Sequence, residues 1–393
     1  MDRLILEDVT IYRGGKDLTP IINNMSLRME PGQILGLLGP NGCGKTSLIR
    51  AIAGFIPPLQ ESTKVTGGLS WQASWGSEQR RMTGRVLLDN ENVSTWSPGK
   101  RNITLVPQNL ALYPDKSVLD NIAFPLRTHG ASRDEARRQA SELARWLGLD
   151  GVLLKRPAQI SGGQQQRVAI GRALISQPRL ALLDEPLASL DALSKQEILT
   201  LINRFLRERG ASAVYVTHDP NEATLLCDQV AFIQKGRLHQ IAPPDEAYRD
   251  PATLFVARMF SGFSNCILGT IDANGIFTLK QSSASLNVKG LWSSCVSSIE
   301  TKVWLATRAK DLRMSSLQSE GIPGTVIGRF SFEGCSYARV EVAKDTMISC
   351  LDEDDHRIGS TVRVELTPDA LGRLRLFNEE GQLLHCPASA ITT

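Results

Sequence analysis

Ile34-Leu35-Gly36-Leu37-Leu38-Gly39-Pro40-Asn41-Gly42-Cys43-Gly44-Lys45-Thr46 is the stretch that decides the fold. Its first five residues carry no polar side chain, which predicts a strand buried on both faces. The rest fits the pattern GxxxxGK[ST]. Gly39, Gly42 and Gly44 let backbone N–H groups close around phosphate oxygens. Lys45 brings a positive charge to them and Thr46 offers a hydroxyl to Mg²⁺. Asn41, Cys43 and Ser47 belong to the same wrapping stretch, with Cys43 read as a small filler. A helix is predicted from Thr46 to Ala53, ended by Gly54. Strand, glycine-rich turn and helix in that order are the setting a phosphate-binding loop needs.

Working outward, Leu180-Ala181-Leu182-Leu183 reads as a second buried strand, and it ends in Asp184-Glu185. Asp184 is expected near the magnesium, and Glu185 is then free to orient and activate an attacking water. Val214-Tyr215-Val216 reads as a further buried strand. Another helix opens at Ser132, where Glu135 suggests a capping box. Its apolar stripe is Ala136, Ala140, Leu143 and Leu147, and it ends at Gly148. Strands alternating with helices over residues 1–240 predict an α/β unit with a parallel sheet.

Ser161-Gly162-Gly163-Gln164-Gln165-Gln166-Arg167 narrows the reading. A capping serine and two glycines open a helix whose bare N-terminus can face an anion. The full string resembles the signature sequence of ABC ATPases. The other elements of that family follow in order: Gln108 in Val106-Pro107-Gln108 resembles the Q-loop glutamine. Ser189-Leu190-Asp191 resembles the D-loop, and His218 in Val216-Thr217-His218-Asp219 the switch histidine. Tyr12 resembles the aromatic that stacks on adenine. The resemblance covers about residues 4–240, with a helical subdomain at about 109–160.

The resemblance implies a mechanism. ATP lies between two cassettes. One copy contributes Lys45, Thr46, Gln108, Asp184, Glu185 and His218. The other contributes Ser161, Gly162 and Gly163, with Gln164 and Asp191 beside them. Gln108 would share the magnesium with Thr46 and Asp184. The implied partners are a second copy of the chain, transmembrane permease subunits and, indirectly, a solute-binding protein. Leu110, Leu112 and Tyr113 are expected to line the lip that receives a permease helix.

After about residue 240 the pattern changes. Pro243-Pro244, Pro251 and a short apolar helix from Thr253 to Met259 occupy a linker at 241–264. Beyond 265, two-residue alternation predicts a small β domain, with Ala338, Val340 and Val342 on one face and Val362, Val364 and Leu366 on another. Ala242-Pro243-Pro244-Asp245-Glu246-Ala247-Tyr248 and Leu254-Phe255-Val256-Ala257 resemble the tail of the maltose, polyamine, sulfate and ferric-iron importer ATPases. Those carry an OB-like barrel, the TOBE domain. The chain departs from them at Arg308-Ala309-Lys310-Asp311, where that family shows Arg-Pro-Glu-Asp. Residues 59–82, with Trp71 and Trp75, read as an insertion before a strand at Arg85 to Leu88. It is either a surface loop or a partner contact.

Composition excludes several classes. A net charge of +3 gives no footprint for a nucleic-acid partner. No run of about 18 apolar residues occurs, and the first residues, MDRLILEDVT, lack the apolar core of a signal segment. The seven cysteines form no CxxC pair, so a reducing cytoplasm is expected, at the inner face of the membrane. Among relatives of the signature, a chromosome or repair ATPase would carry a long coiled coil between Gln108 and Ser161, where one ordinary helix is expected. A translation-factor ATPase would carry two cassettes, and an exporter half its own span. An inactive scaffold would lack Glu185 or His218. The solute is expected to be a sugar, as Leu112-Tyr113-Pro114 and Ala169-Ile170-Gly171-Arg172-Ala173-Leu174 suggest, or another small polar or ionic nutrient.

Overall fold

The computed structural model describes residues 2–14, 18–59, 80–188, 190–260, 262, 264–280, 284–289, 301–315, 321–332 and 334–384. Trp71, Trp75, Ser189 and residues 60–79 of the expected insertion lie outside the described residues. The chain divides into two units, Met1–Pro244 and Asp245–Thr393.

The first unit holds two sheets. In chain order its strands are β1 (Leu4–Arg13), β2 (Thr19–Met29), β3 (Ile34–Leu38), β4 (Arg80–Leu88), β5 (Glu91–Asn92), β6 (Ile103–Val106), β7 (Leu180–Asp184), β8 (Ala213–Thr217), β9 (Gln229–Gln234) and β10 (Arg237–Ala242). Its helices are α1 (Lys45–Ala53), α2 (Val118–Thr128), α3 (Arg133–Trp146), α4 (Gly162–Leu174), α5 (Ala192–Glu208) and α6 (Pro220–Leu226). One sheet runs β10-β9-β3-β8-β7-β6, parallel except for β10. Its central strands β3, β7 and β8 are buried along their whole length, as their unbroken apolar runs require. The other sheet, β2-β1-β4-β5, is antiparallel. Helix α1 packs in the core the two sheets share.

Three local expectations change. Strand β4 begins at Arg80 rather than Arg85, so Arg80, Arg81 and Met82 pair with Arg13, Tyr12 and Ile11 and do not belong to an insertion. Between Gln108 and Ser161 there are two helices rather than one. Pro125, which reads as a breaker, sits inside α2, and Ser117 caps that helix. At α3, Ser132 accepts the Glu135 N–H as expected. The Glu135 carboxylate does not close the box, because Arg138 and Gln139 engage it instead. The stripe Ala136, Ala140, Leu143 and Leu147 is buried. Helix α2 packs on α3 and α4. Gly171 permits the approach of α4, since a Cβ there would stand 2.7 Å from Leu147 Cδ1.

Arg101 fastens α1. It is 1% exposed and donates to Ala51 O and Ile52 O at 2.9 and 2.8 Å, to Ser94 O at 3.0 Å and to Trp96 O at 3.1 Å. Two of these carbonyls belong to the last turn of α1; Ala51 O also takes the Gly54 N–H at 3.0 Å, and the guanidinium adds donors that a helix end lacks. Burial pushes the Arg101 guanidinium down to about 10, so it stays charged at neutral pH.

The second unit holds α8 (Leu254–Met259), preceded by α7 (Pro244–Arg249), which opens at the unit boundary. Its β11 (Asn265–Ile271), β12 (Ile276–Leu279), β13 (Ser285–Asn287), β14 (Thr301–Thr307) and β20 (Arg375–Phe377) form a sheet in the order β13-β12-β11-β14-β20. Strands β15 (Leu312–Ser315), β16 (Ile322–Phe332), β17 (Cys335–Ala343), β18 (Thr346–Leu351) and β19 (Thr361–Leu366) close a barrel in the order β15-β18-β17-β16-β19. Ala338, Val340, Val342, Val362 and Val364 point into its core, as the alternation predicts. The turn at Arg308–Asp311 closes without the proline of the related tail. Buried Asp311 accepts the Arg308 N–H at 3.0 Å and Arg373 Nε at 2.7 Å.

Candidate functional site

The expected residues gather because of strand order. Gly39 follows β3, Gln108 follows β6, Asp184 ends β7 and His218 follows β8. These four strands are parallel neighbours, so their carboxyl ends open onto one crevice, where α/β folds bind ligands.

The glycine-rich turn needs its glycines for space and for conformation. A Cβ on Gly39 would stand 2.1 Å from Ile233 O, and Gly44 adopts φ +109°. Buried Lys45 reaches back across the loop and donates to Gly39 O at 2.6 Å and Pro40 O at 3.1 Å. Cys43 is buried beneath the loop and burial raises its thiol pKa, in keeping with a filler. Thr46 Oγ1 donates to Asp184 Oδ1 at 3.3 Å. Burial pushes the Asp184 carboxyl above its ordinary value. The bond from Thr46 opposes this, and the neighbouring Glu185 charge adds to it. A hydroxyl and a carboxylate this close are hard oxygen donors of the kind Mg²⁺ shares with substrate phosphates. Among the described residues no group of three or more His, Cys, Asp or Glu could hold a metal by itself.

Glu185 sits at φ +45°, a left-handed conformation that is costly for a residue with a Cβ. Its N–H is held by Val216 O at 3.1 Å. The carboxylate stands 4.0 Å from Lys45 Nζ and 3.5 Å from His218 Nδ1. A carboxylate, a buried cation and a half-exposed histidine thus lie close together, and the first two open on one space, which His218 does not line.

That space is a cavity of about 300 Å³ lined by Asn41, Gly42, Gly44, Lys45, Thr46, Ser47, Gln108 and Glu185, together with Arg13, Ile21, Arg50 and Arg80. Four cationic side chains against one carboxylate suit a polyanion. Arg13, Arg50 and Arg80 were not expected from the motifs. Arg50 lies four residues beyond Thr46 on the same helix face, a spacing that could have shown it. Arg80 donates to Ser47 Oγ at 3.0 Å, and reading it as part of an insertion hid it. Tyr12 does not line the cavity; its neighbour Arg13 does. Replacing Lys45 by Ala removes the buried cation, so nucleotide affinity is expected to fall roughly ten- to a hundredfold, the worth of one charge-assisted hydrogen bond. Equilibrium titration of a nucleoside triphosphate measures this, and an unchanged affinity contradicts it.

A buried network stands behind His218. Glu222 accepts Thr217 Oγ1 at 2.7 Å and Tyr215 OH at 2.9 Å, and pairs with Lys195 Nζ at 3.1 Å. Lys195 belongs to α5, which Asp191 caps by accepting the Ser194 N–H at 3.0 Å. The strand carrying the histidine and the helix following Asp191 are therefore tied together. Sequence reasoning missed Glu222, whose three partners lie on two other elements, β8 and α5.

Ser161, Gly162 and Gly163 stand apart from all this. None of them lines the cavity. Ser161 and Gln164 form a reciprocal capping box at the start of α4. Ser161 and Gly162 are exposed, and a Cβ on Gly162 would meet nothing within 4 Å.

The ABC transporter family model matches residues 22–188. The chain is 32% identical over 356 residues to the spermidine/putrescine import ATP-binding protein of Legionella pneumophila, covering 88% of this chain and 90% of that protein. It is 38% identical over 265 residues to an sn-glycerol-3-phosphate import ATP-binding protein of Rhizobium johnstonii, covering 67% of this chain and 66% of that protein. It is 33% identical over 346 residues to the Fe(3+) ions import ATP-binding protein of Agrobacterium fabrum, covering 87% and 88%. An ATP-binding cassette solved as a dimer in a post-hydrolysis state with ADP and phosphate superposes with a TM-score of 0.51 at 28% identity, covering 61% of this chain and 98% of that one.

Proposed function

Because the chain belongs to the ABC transporter family, we propose that it is the ATP-hydrolysing subunit of a solute importer and works as a dimer of cassettes. The observation that carries the dimer is the place of the signature. The start of α4 is built to face an anion, yet it is exposed and lines no part of the chain's own phosphate cavity. A second copy supplies the missing phosphate, and its own signature caps the first site in return.

In this reading the glycine-rich loop wraps the phosphates, Lys45 pairs with the β/γ-phosphates and Arg80 and Arg50 add charge from the flanks. Thr46, Asp184 and Gln108 would hold Mg²⁺, which would supply positive charge to offset that of the phosphates. Glu185 orients the water and takes its proton. His218, held at the Glu185 carboxylate, senses the γ-phosphate. Tyr12 remains our proposed adenine partner. Residues 1–240 form the nucleotide-binding domain and 265–393 the TOBE-like domain.

No described helix is long and apolar enough to cross a membrane. We propose transmembrane permeases as the partners, with a solute-binding protein beyond them, and a place on the inner membrane's cytoplasmic face; that relatives are named import ATP-binding proteins supports this reading. We propose Leu112 and Tyr113 as part of the permease contact. The related ATPases carry the names of a phosphate ester, polyamines and ferric ions, so a shared cassette does not choose the solute. We keep it as a small polar or ionic nutrient.

The test uses the full chain. Glu185→Gln with MgATP is expected to shift from monomer to dimer in size-exclusion chromatography with light scattering. Adding Ser161→Arg is expected to block the shift, because the bulky cation fills the space of the γ-phosphate. A double variant that still dimerises on ATP would show that the signature does not face the second nucleotide.

A further inference from the structure

The segment after Gln108 is strained, and one side chain holds it. Leu110 and Ala111 are consecutive non-glycine residues with φ +59° and +43°. Such a pair is costly and persists only where its surroundings impose it. Their amides make local bonds, Leu110 N–H to Pro107 O at 2.8 Å and Ala111 N–H to Asn109 O at 2.7 Å. Their carbonyls are both taken by Arg172, whose Nη2 donates to Leu110 O and Nη1 to Ala111 O, each at 2.7 Å. The same guanidinium lies 5.2 Å from the centre of the Tyr113 ring. Buried Asn121 fastens the rest of the segment, accepting the Tyr113 N–H at 2.9 Å and donating to Tyr113 O, Lys116 O and Ser117 O.

Arg172 is near the C-terminal end of α4, and Ser161 caps the other end. The eleven residue steps from one to the other span roughly 16 Å of rigid helix. Any displacement of the signature therefore carries the guanidinium with it, and the guanidinium carries the turn. We propose that Arg172 is a positioning residue that locks the strained turn after Gln108 to the signature helix, so that the two ends of the helix report on each other. A fork is needed for this: two carbonyls on successive residues match the two terminal nitrogens of arginine, and a lysine ammonium cannot reproduce that geometry. The inference rests on the reading of Ser161 as the group that meets the second nucleotide.

Hydrogen exchange on the full chain tests it, in a Glu185→Gln background with and without MgATP. In the parent, MgATP is expected to slow exchange both in residues 161–174 and in residues 106–117. With Arg172→Gln or Arg172→Lys, residues 161–174 should still be protected while 106–117 no longer respond. Without nucleotide, the Leu110 and Ala111 amides should exchange roughly tenfold faster than in the parent, the equivalent of one lost charge-assisted hydrogen bond. A residue that merely packs would change both segments together or neither. If 106–117 still responds to MgATP in Arg172→Gln, the lock is wrong. If neither segment responds in the parent, the reading of the signature fails. The lock is then decided by the nucleotide-free rates, and parental rates in Arg172→Gln overturn it.

Discussion

Glu185→Gln is expected to lower steady-state ATP turnover by about 10²–10⁴-fold while leaving ATP affinity near the parental value. The two effects separate because the carboxylate is an anion and so adds nothing to the attraction for a polyanion. It stands beside His218 and 4.0 Å from Lys45, and its backbone is fixed by the bond to Val216 O. Glutamine keeps the shape and the hydrogen-bonding reach but cannot take a proton from water. Lys45, Arg50 and Arg80 still line the cavity in the variant, so the polyanion is still held. Steady-state phosphate release and equilibrium titration on the same preparation decide the matter. A variant that turns over at near-normal rates removes Glu185 from the chemistry.

Arg101→Ala is expected to destabilise the first unit by on the order of 3–5 kcal/mol. Four backbone carbonyls lose the guanidinium at once in a place with 1% exposure, and of these Ala51 O keeps the Gly54 N–H. Two of them close the last turn of α1, the helix that begins at Lys45. Gly54 next to it adopts φ +88°, and a Cβ there would stand 2.7 Å from Arg101 Nε, so the chain lies directly against the guanidinium. At about 2–4 °C per kcal/mol for a unit of this size, a fall in melting temperature of roughly 10 °C follows. Thermal unfolding followed by circular dichroism measures it. A loss below about 1 kcal/mol would mean that water replaces all four bonds.

These two residues differ in how visible they are in the sequence. Glu185 is legible because its chemistry demands a residue type at a fixed distance from a buried strand, as the glycine-rich loop and the Ser161 cap also do. The alternation of strands and helices, and then of residues within the barrel strands, shows the fold for a similar reason: burial enforces a period. Arg101, Arg172 and Glu222 carry no such mark. Arg101 and Arg172 donate to backbone carbonyls, which leave no trace in residue identity, and their partners lie far along the chain. Arg80 was hidden by composition, because two arginines at the start of β4 break the pattern a strand would show. Glu135 shows the limit of a local rule. It has the spacing of a capping box, yet Arg138 and Gln139 on the same helix offer its carboxylate better partners.

The closed barrel of the second unit has one more consequence. Because β15 pairs with both β18 and β19, the five described strands close on themselves, though β15 meets β18 only at Arg313 and Leu351. A strand paired on both sides cannot be extended, neither by a partner peptide nor by a stray chain during folding. The adjacent five-stranded sheet does have two borders, but each is a strand of three residues, β13 and β20, too short to template a neighbour. A protein that engages the doubly paired strands must therefore recognise side chains and loops. Its specificity is open to change by surface substitution, without risk to the hydrogen-bonded frame beneath.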